Sequence, residues 1–520
     1  MNETAVHPLQ NPACYPHPVD AVELIETHIS WVFLAGEFAY KIKKPVRMGF
    51  LDFSTLAARR FFCEEELRLN RRTAPDLYLQ VMPIAGTEDA PIIGGIGEVF
   101  DYAVQMRRFD QALLADRIAK RGELGNTHID ALAACLARFH AGLPAIEEGS
   151  PLGSSNQVIE PALQNFAEIE KFNLNPALAK RLSPLRAWTQ NESTRLAATF
   201  DDRKRKGWVR ECHGDLHLGN ILIRDGVPIF FDCIEFSAEL RLIDVMSEVA
   251  FLAMDLMEHG LEAGAWRFLN AYVEITGDHG GLAVLNYYLC YRALVRAKIA
   301  LIRAHQEDCE ASTRATLEGD CNRYIDLAER FARPRRTALA LMHGLAGSGK
   351  STLGQTVLEH GGAFRVRSDV ERKRLHGLAA GASTRARQDS GIYAPDSTHR
   401  TYLRLQDLAR IIVSSGYSAI IDAAFLRRAP REEFYRLASE LGVPVVIVAC
   451  RASHQELRRR VALREARMND ASEAGVCVLD NQILTEEPLT ADELKLAKVL
   501  DTETGEAKRL GGIEEIAALF

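Results

Sequence analysis

The chain has 520 residues, 47% apolar and 26% charged, with a formal net charge of −7. That length exceeds one ordinary hydrophobic core and predicts two or three domains. The acidic balance argues against a nucleic-acid coat or an anionic membrane as main partner.

No run approaches the ~18 apolar residues of a membrane span. The opening MNETAVHPLQ lacks the basic-then-apolar order of a signal peptide. Ten scattered cysteines show neither a Cys-x-x-Cys pair nor zinc spacing. Reduced thiols in a cytoplasmic protein are expected.

Residues 28–44 (HISWVFLAGEFAYKIKK) read as two strands around a Gly-Glu turn, and residues 55–72 (TLAARRFFCEEELRLNRR) have helical spacing. Strand-like pieces follow at 77–84 (LYLQVMPI) and 98–109 (EVFDYAVQMRRF), then a helical pattern from Ala112 to about Gly142. A Gly/Ser loop at 149–157 opens a helical insert to about Lys206. Residues 221–233 (ILIRDGVPIFFDC) predict a hairpin with Asp225-Gly226 at its turn, and 238–332 several amphipathic helices.

At 332–344 (ARPRRTALALMHG) the character changes, and strands then alternate with helices to the C-terminus. Such alternation predicts a parallel α/β sheet. A boundary near Pro334 divides the chain into 1–334, with an N-lobe of about 20–109 and a helical C-lobe of about 110–334, and 335–520.

In 211–223 (ECHGDLHLGNILI), His-Gly-Asp precedes an asparagine between two apolar stretches. Phosphoryl transfer needs positioning, charge neutralisation, oxygen ligands for Mg²⁺ and a carboxylate to take the acceptor's proton. Asp215 can be that base, Asn220 can offer a carbonyl oxygen to Mg²⁺, and the hairpin folds Asp232 back beside Asn220. His217 is expected to pack the loop rather than to react.

This segment resembles the catalytic loop of the aminoglycoside phosphotransferase and choline kinase group. The resemblance implies an α+β protein-kinase-like fold and an N-lobe lysine for the ATP phosphates. Ala39-Tyr40-Lys41 fits its Ala-x-Lys pattern, and Lys43, on the same strand face, is the alternative. The partner glutamate is Glu65 or Glu66, with Glu65 taken for the ATP-binding set. Two departures stand out. No Gly-x-Gly-x-x-Gly covers the phosphates, and Asp232 stands in Phe-Asp-Cys rather than Asp-Phe-Gly. In 241–256 the sequence resembles the helix bracing this loop, which makes Asp244 and Glu248 structural.

Residues 344–351 (GLAGSGKS) match the P-loop pattern directly after a strand and before a helix. Gly344, Gly347 and Gly349 let backbone amides curl around phosphate oxygens. Lys350 is expected on the β/γ-phosphates and Ser351 on Mg²⁺, and Ser348 and Thr352 complete the ATP-binding set. In 363–374 (AFRVRSDVERKR) a strand beside the P-loop strand ends near Asp369, the candidate base of this second site. The strand at 418–426 ends in Asp422, suited to hold Mg²⁺ through water. Arg460, Arg464 and Arg467 share one helical face as a candidate lid.

This half resembles the small P-loop kinases: gluconate kinase, polynucleotide kinase and zeta-toxin-like proteins. Together the halves resemble the bacterial proteins called bifunctional aminoglycoside phosphotransferase/ATP-binding protein. That resemblance implies ATP and Mg²⁺ as cofactors and two phosphotransferases acting on small-molecule hydroxyl groups. Three narrower or competing readings are an aminoglycoside acceptor, an ATP-binding regulatory module, and a nucleic-acid end kinase in the P-loop half. The acidic balance and the lack of an aromatic-plus-basic strip oppose the last.

Overall fold

The computed structural model describes residues 6–48, 51–147, 149–172, 176–306, 310–380, 382, 391–467, 474–503 and 516. They form two compact units. One is Met1–Glu168 with Ser193–Asp255, the other Ile169–Glu192 with Leu256–Phe520. These units differ from the division expected at Pro334, because helices from 256 onward group with the P-loop sheet.

In the first unit a six-stranded antiparallel sheet runs Val22–Glu26, Ser30–Ala35, Phe38–Lys43, Val99–Arg107, Tyr78–Thr87, Ala90–Ile93. One face buries Phe33, Tyr40 and Ile42 under Leu9 and Tyr15 of the N-terminal segment. The other packs Val104 and Tyr78 against Cys63 of helix Leu56–Asn70. Thr55 starts this helix by accepting the Ala58 N–H at 3.1 Å. The expected hairpin pairs Ile221–Arg224 with Val227–Phe230, and positive φ at Asp225 and Gly226 (51° and 76°) closes it as a type I′ turn.

The second unit holds a five-stranded sheet in the order Phe364–Arg367, Ala419–Asp422, Leu339–His343, Val445–Arg451, Ala497–Asp501. Every pairing is parallel. The five residues of Leu339–His343 are all buried, as expected of a central parallel strand covered on both faces. One expectation is corrected here. The strand leading to Asp369 pairs with Ala419–Asp422 and not with the P-loop strand, so Asp369 stands one strand further out.

Helix Glu262–Thr276 closes the outer edge of this sheet. Asn270 accepts the Arg365 N–H at 2.8 Å and donates to the Ala363 carbonyl at 2.9 Å, standing in for a missing neighbouring strand. Trp266 of the same helix meets Phe364 and Tyr417, with the Arg335 guanidinium 4.6 Å from its ring centre. The nine described cysteines are all free. Among the described residues no helix is long and apolar enough to cross a membrane.

Candidate active sites

In the first unit the lysine strand Phe38–Lys43 turns Lys41 and Lys43 to one face, toward helix Leu56–Asn70. Lys41 Nζ lies 2.9 Å from Glu66 Oε1 and 2.5 Å from Asp232 Oδ1. Lys43, fully buried, meets the other Glu66 oxygen at 2.8 Å and also pairs with Glu235. The assignment of Glu65 is thereby corrected to Glu66 as partner of Lys41. Glu65 turns away from Lys41 and binds Arg68 at 2.6 Å and the buried Arg241 at 2.8 Å.

Burial would push both lysines down and Glu66 up, but their mutual attraction wins. The lysines are held above their ordinary range, and Glu66 is lowered to about 2 by Lys41 and Lys43. Glu235 is raised by burial, despite Lys43.

The loop 213–220 is pinned from beneath. Glu248 Oε1 accepts the Gly214 N–H at 2.7 Å, while its other oxygen meets His140 Nε2 at 2.8 Å. Burial opposes the Glu248 charge, yet these partners hold its pKa below the carboxylate range. Gly214 has φ +89°, and a Cβ there would stand 2.8 Å from the Leu240 carbonyl oxygen.

His213 is buried. Its Nε2 meets the Phe231 carbonyl at 2.8 Å and its Nδ1 the Asp215 N–H at 3.4 Å, which fits the neutral ring that burial favours. Asn220 Nδ2 lies 3.0 Å from the Asp215 carbonyl and 3.3 Å from its carboxylate. The Phe231 N–H donates to the Asn220 carbonyl at 3.1 Å, and this bond seats Asp232 beside Asn220. Asp232 takes a left-handed φ of 64°. Asp244 and Glu248 have the bracing contacts expected of them, Asp244 through a buried two-pronged pair with Arg203. His217 accepts the Gly219 N–H at 3.1 Å and packs beside Phe251.

In the second unit the P-loop curls as its glycines allow. At Gly344 (φ +144°) any Cβ would fall 2.5 Å from the Cys450 carbonyl oxygen. Lys350 Nζ donates to the Gly344 and Leu345 carbonyls at 2.7 and 2.9 Å. Burial lowers its pKa, against the opposing pull of Asp422 and Asp369 and with a further push from Arg464. Ser348 Oγ and Asp422 Oδ2 are buried without a protein partner. A phosphate and a hydrated Mg²⁺ are groups that such orphaned atoms fit.

Arg460 reaches the loop, donating to Gly347 O at 3.4 Å and to Thr502 O at 2.8 Å. Arg464 instead donates to the Ala474 carbonyl at 2.6 Å, so the expected lid is only partly assembled from this helix. The side chain of Arg467 lies outside the described residues. Ser351 and Thr352 open the helix Lys350–Gly361.

A sequence model of the phosphotransferase enzyme family matches residues 63–285, and one of the AAA domain family matches 339–489. An uncharacterized protein of Mycobacterium tuberculosis is 30% identical over 469 residues, covering 89% of this chain and 91% of its own length. Its counterpart in Mycobacterium bovis matches equally. The chain belongs to their family.

This chain joins a phosphotransferase domain to a P-loop domain. Among solved structures, an amicoumacin kinase in complex with AMP-PNP and Ca²⁺ is 13% identical (TM-score 0.41), covering 63% of this chain and 94% of its own. A choline/ethanolamine kinase family protein from Mesorhizobium loti is 12% identical (TM-score 0.37; 64% and 97%). A gluconokinase from Sinorhizobium meliloti is 18% identical (TM-score 0.26; 35% and 95%).

Sequence reasoning missed three features. Glu235 follows Asp232 by three residues, but nothing in Phe-Asp-Cys-Ile-Glu-Phe marks it as buried. Gln482 accepts the P-loop's Ala346 N–H at 2.8 Å from a distant helix, with no local signal. In the phosphotransferase domain a cleft of about 690 Å³ is lined by Ile25, Leu34, Gly36, Phe109 and Asp110 among others. Pairing of Leu34 with Ala39, and of Val32 with both Ile25 and Lys41, puts this cleft on the face that carries Lys41. The signal was available: residues 108–111 connect the last strand of the lobe to the helices.

Proposed function

We propose that the protein is a tandem ATP-dependent phosphotransferase, each domain moving the γ-phosphoryl group of Mg·ATP to a hydroxyl of a small molecule in the cytoplasm. In the phosphotransferase domain the cleft beside Ile25, Leu34 and Phe109 receives the nucleobase. Lys41, steadied by Glu66, meets the phosphates, and Asn220 with Asp232 holds Mg²⁺. Asp215 takes the hydroxyl proton as the acceptor oxygen bonds to phosphorus and the bond to ADP breaks.

In the P-loop domain, loop amides, Ser348 and Lys350 cradle phosphate, while Ser351 and Asp422 serve Mg²⁺. Asp369 is the base, and Arg460 and Arg464 lie over the nucleotide. The observation that carries this reading is Lys41 set between Glu66 and Asp232, with Asn220 tied to Asp215. A base at each site favours catalysis over mere nucleotide binding. An aminoglycoside is the narrower choice of acceptor for the first domain.

The test is a metabolite pool incubated with labelled ATP and the full chain. Asp215→Asn and Lys350→Ala should each remove one of two separable transfers, with a loss of about 10²–10⁴-fold expected for the general base Asp215. If Lys350→Ala alone silenced both, the first domain would be a regulatory ATP-binding module. Labelling of oligonucleotides alone would make the P-loop domain an end kinase.

A further inference from the structure

We infer that Asn270 is a positioning residue of the P-loop site, supplied by a helix that lies inside the sequence matched as phosphotransferase. The inference rests on reading 344–351 as a nucleotide site. Asn270 is 7% exposed and makes three hydrogen bonds. It accepts the Arg365 N–H (2.8 Å) and donates to the carbonyls of Ala363 (2.9 Å) and of Trp266 in its own helix (3.1 Å). Arg365 then donates from Nη1 to the Ser351 carbonyl at 2.6 Å. Ser351 is the residue whose hydroxyl is assigned to Mg²⁺.

A second contact grips the other end of the same P-loop helix. Arg267, three residues before Asn270, pairs with Glu359 at 2.8 Å. Helix Glu262–Thr276 thus holds helix Lys350–Gly361 in its first turn, through Arg365, and in its last, through Glu359. Among the described residues Arg365 Nε has no partner, and the pull of Asp422 and Glu274 on its charge does not offset its burial. Directed at the Ser351 carbonyl, that charge fixes the turn that carries the metal-binding hydroxyl, as outer-shell partners do.

The test uses the full chain carrying Lys41→Met and Asp232→Ala, so that nucleotide binding with and without metal reports the P-loop site. AMP-PNP is titrated by calorimetry with Mg²⁺ and again with EDTA. Asn270→Ala and Arg365→Met should each weaken Mg·AMP-PNP about tenfold, and metal-free AMP-PNP by about twofold at most. The double variant should be no weaker than the poorer single, because both sit on one chain of contacts.

Equal weakening with and without Mg²⁺, additive losses, or unchanged affinity with only a lower Tm would each overturn the inference. Lys350→Ala separates the two levels. If it leaves binding intact, the P-loop reading itself fails; if it abolishes binding while Asn270→Ala does not weaken it, only the positioning role fails. Should Asn270→Ala not fold, Asn270→Asp, which keeps the acceptor for Arg365, decides through the same cycle with Arg365→Met.

Discussion

Two lysines converge on one buried carboxylate, and this sets what can be changed at the first site. Glu66→Gln leaves Lys41 and Lys43 with less negative charge than they were folded around. Breaking a buried pair from one side costs about 3–5 kcal/mol, so the variant should melt earlier and lose at least about tenfold in kcat/KM of the Asp215-dependent transfer. Glu65→Gln, which leaves the Lys41–Glu66 pair intact, should lower that ratio less than Glu66→Gln does. A pair of equal variants would contradict the geometry.

Because the folded Glu66 pKa is depressed from 4.5 to about 2, its stabilisation is complete above pH 4.5 and fades as pH falls toward 2. Sequence spacing left Glu65 and Glu66 open for a physical reason. The buried stripe of this helix is Arg59, Cys63, Glu66, Leu69 and Asn70. With three of its five members polar or charged, hydrophobic periodicity cannot report its phase.

Loops and strands were unequally legible. The hairpin and the P-loop announced themselves because Asp-Gly and the spaced glycines meet backbone demands that few other residues satisfy. Gly214 is a sharper case. Its left-handed φ and the 2.8 Å approach to Leu240 O mean that Gly214→Ala must move backbone, at a cost of about 1–3 kcal/mol. A lowered Tm, with the Lys350-dependent activity retained at permissive temperature, is the expected outcome. Strand order was not legible in the same way. Alternating strands and helices predict a parallel sheet but not which strand lies between two others, so the strand before Asp369 was expected one place too close to the P-loop strand. Nor could spacing reveal Gln482, whose contact with Ala346 bridges 136 positions.

At the scale of the molecule, the second unit buries two neutral histidines. His343 and His279 are both lowered from 6.5 to about 4, chiefly by burial, with Arg431 and Lys350 adding to it at His343 and Arg374 at His279. The unfolded chain therefore takes up protons first. The stabilisation is whole above pH 6.5 and drains away as pH falls to 4, by an amount of order 3 kcal/mol for each at most. Tm should decline through that window, and His343→Gln with His279→Gln should flatten the decline. An unchanged slope would show that other groups govern it.

The composition of that unit was the least readable part of the sequence. Pro334 punctuates the chain, and the family matches fall on either side of it. Punctuation, however, records where chain direction changes, not which surfaces are buried together. Helix Glu262–Thr276 reads as an ordinary amphipathic helix until Asn270 is seen bonded to residues 93 and 95 positions away.

The covered rim at Phe364–Arg367 has a practical corollary for anyone cloning half of this gene. A fragment begun after Pro334 would expose a raw β-edge together with the aromatic faces of Phe364 and Tyr417, a template for self-association. Such a fragment should precipitate or multimerise, whereas one begun near Leu256, which keeps Glu262–Thr276 over that edge although it lacks Ile169–Glu192, should self-associate less.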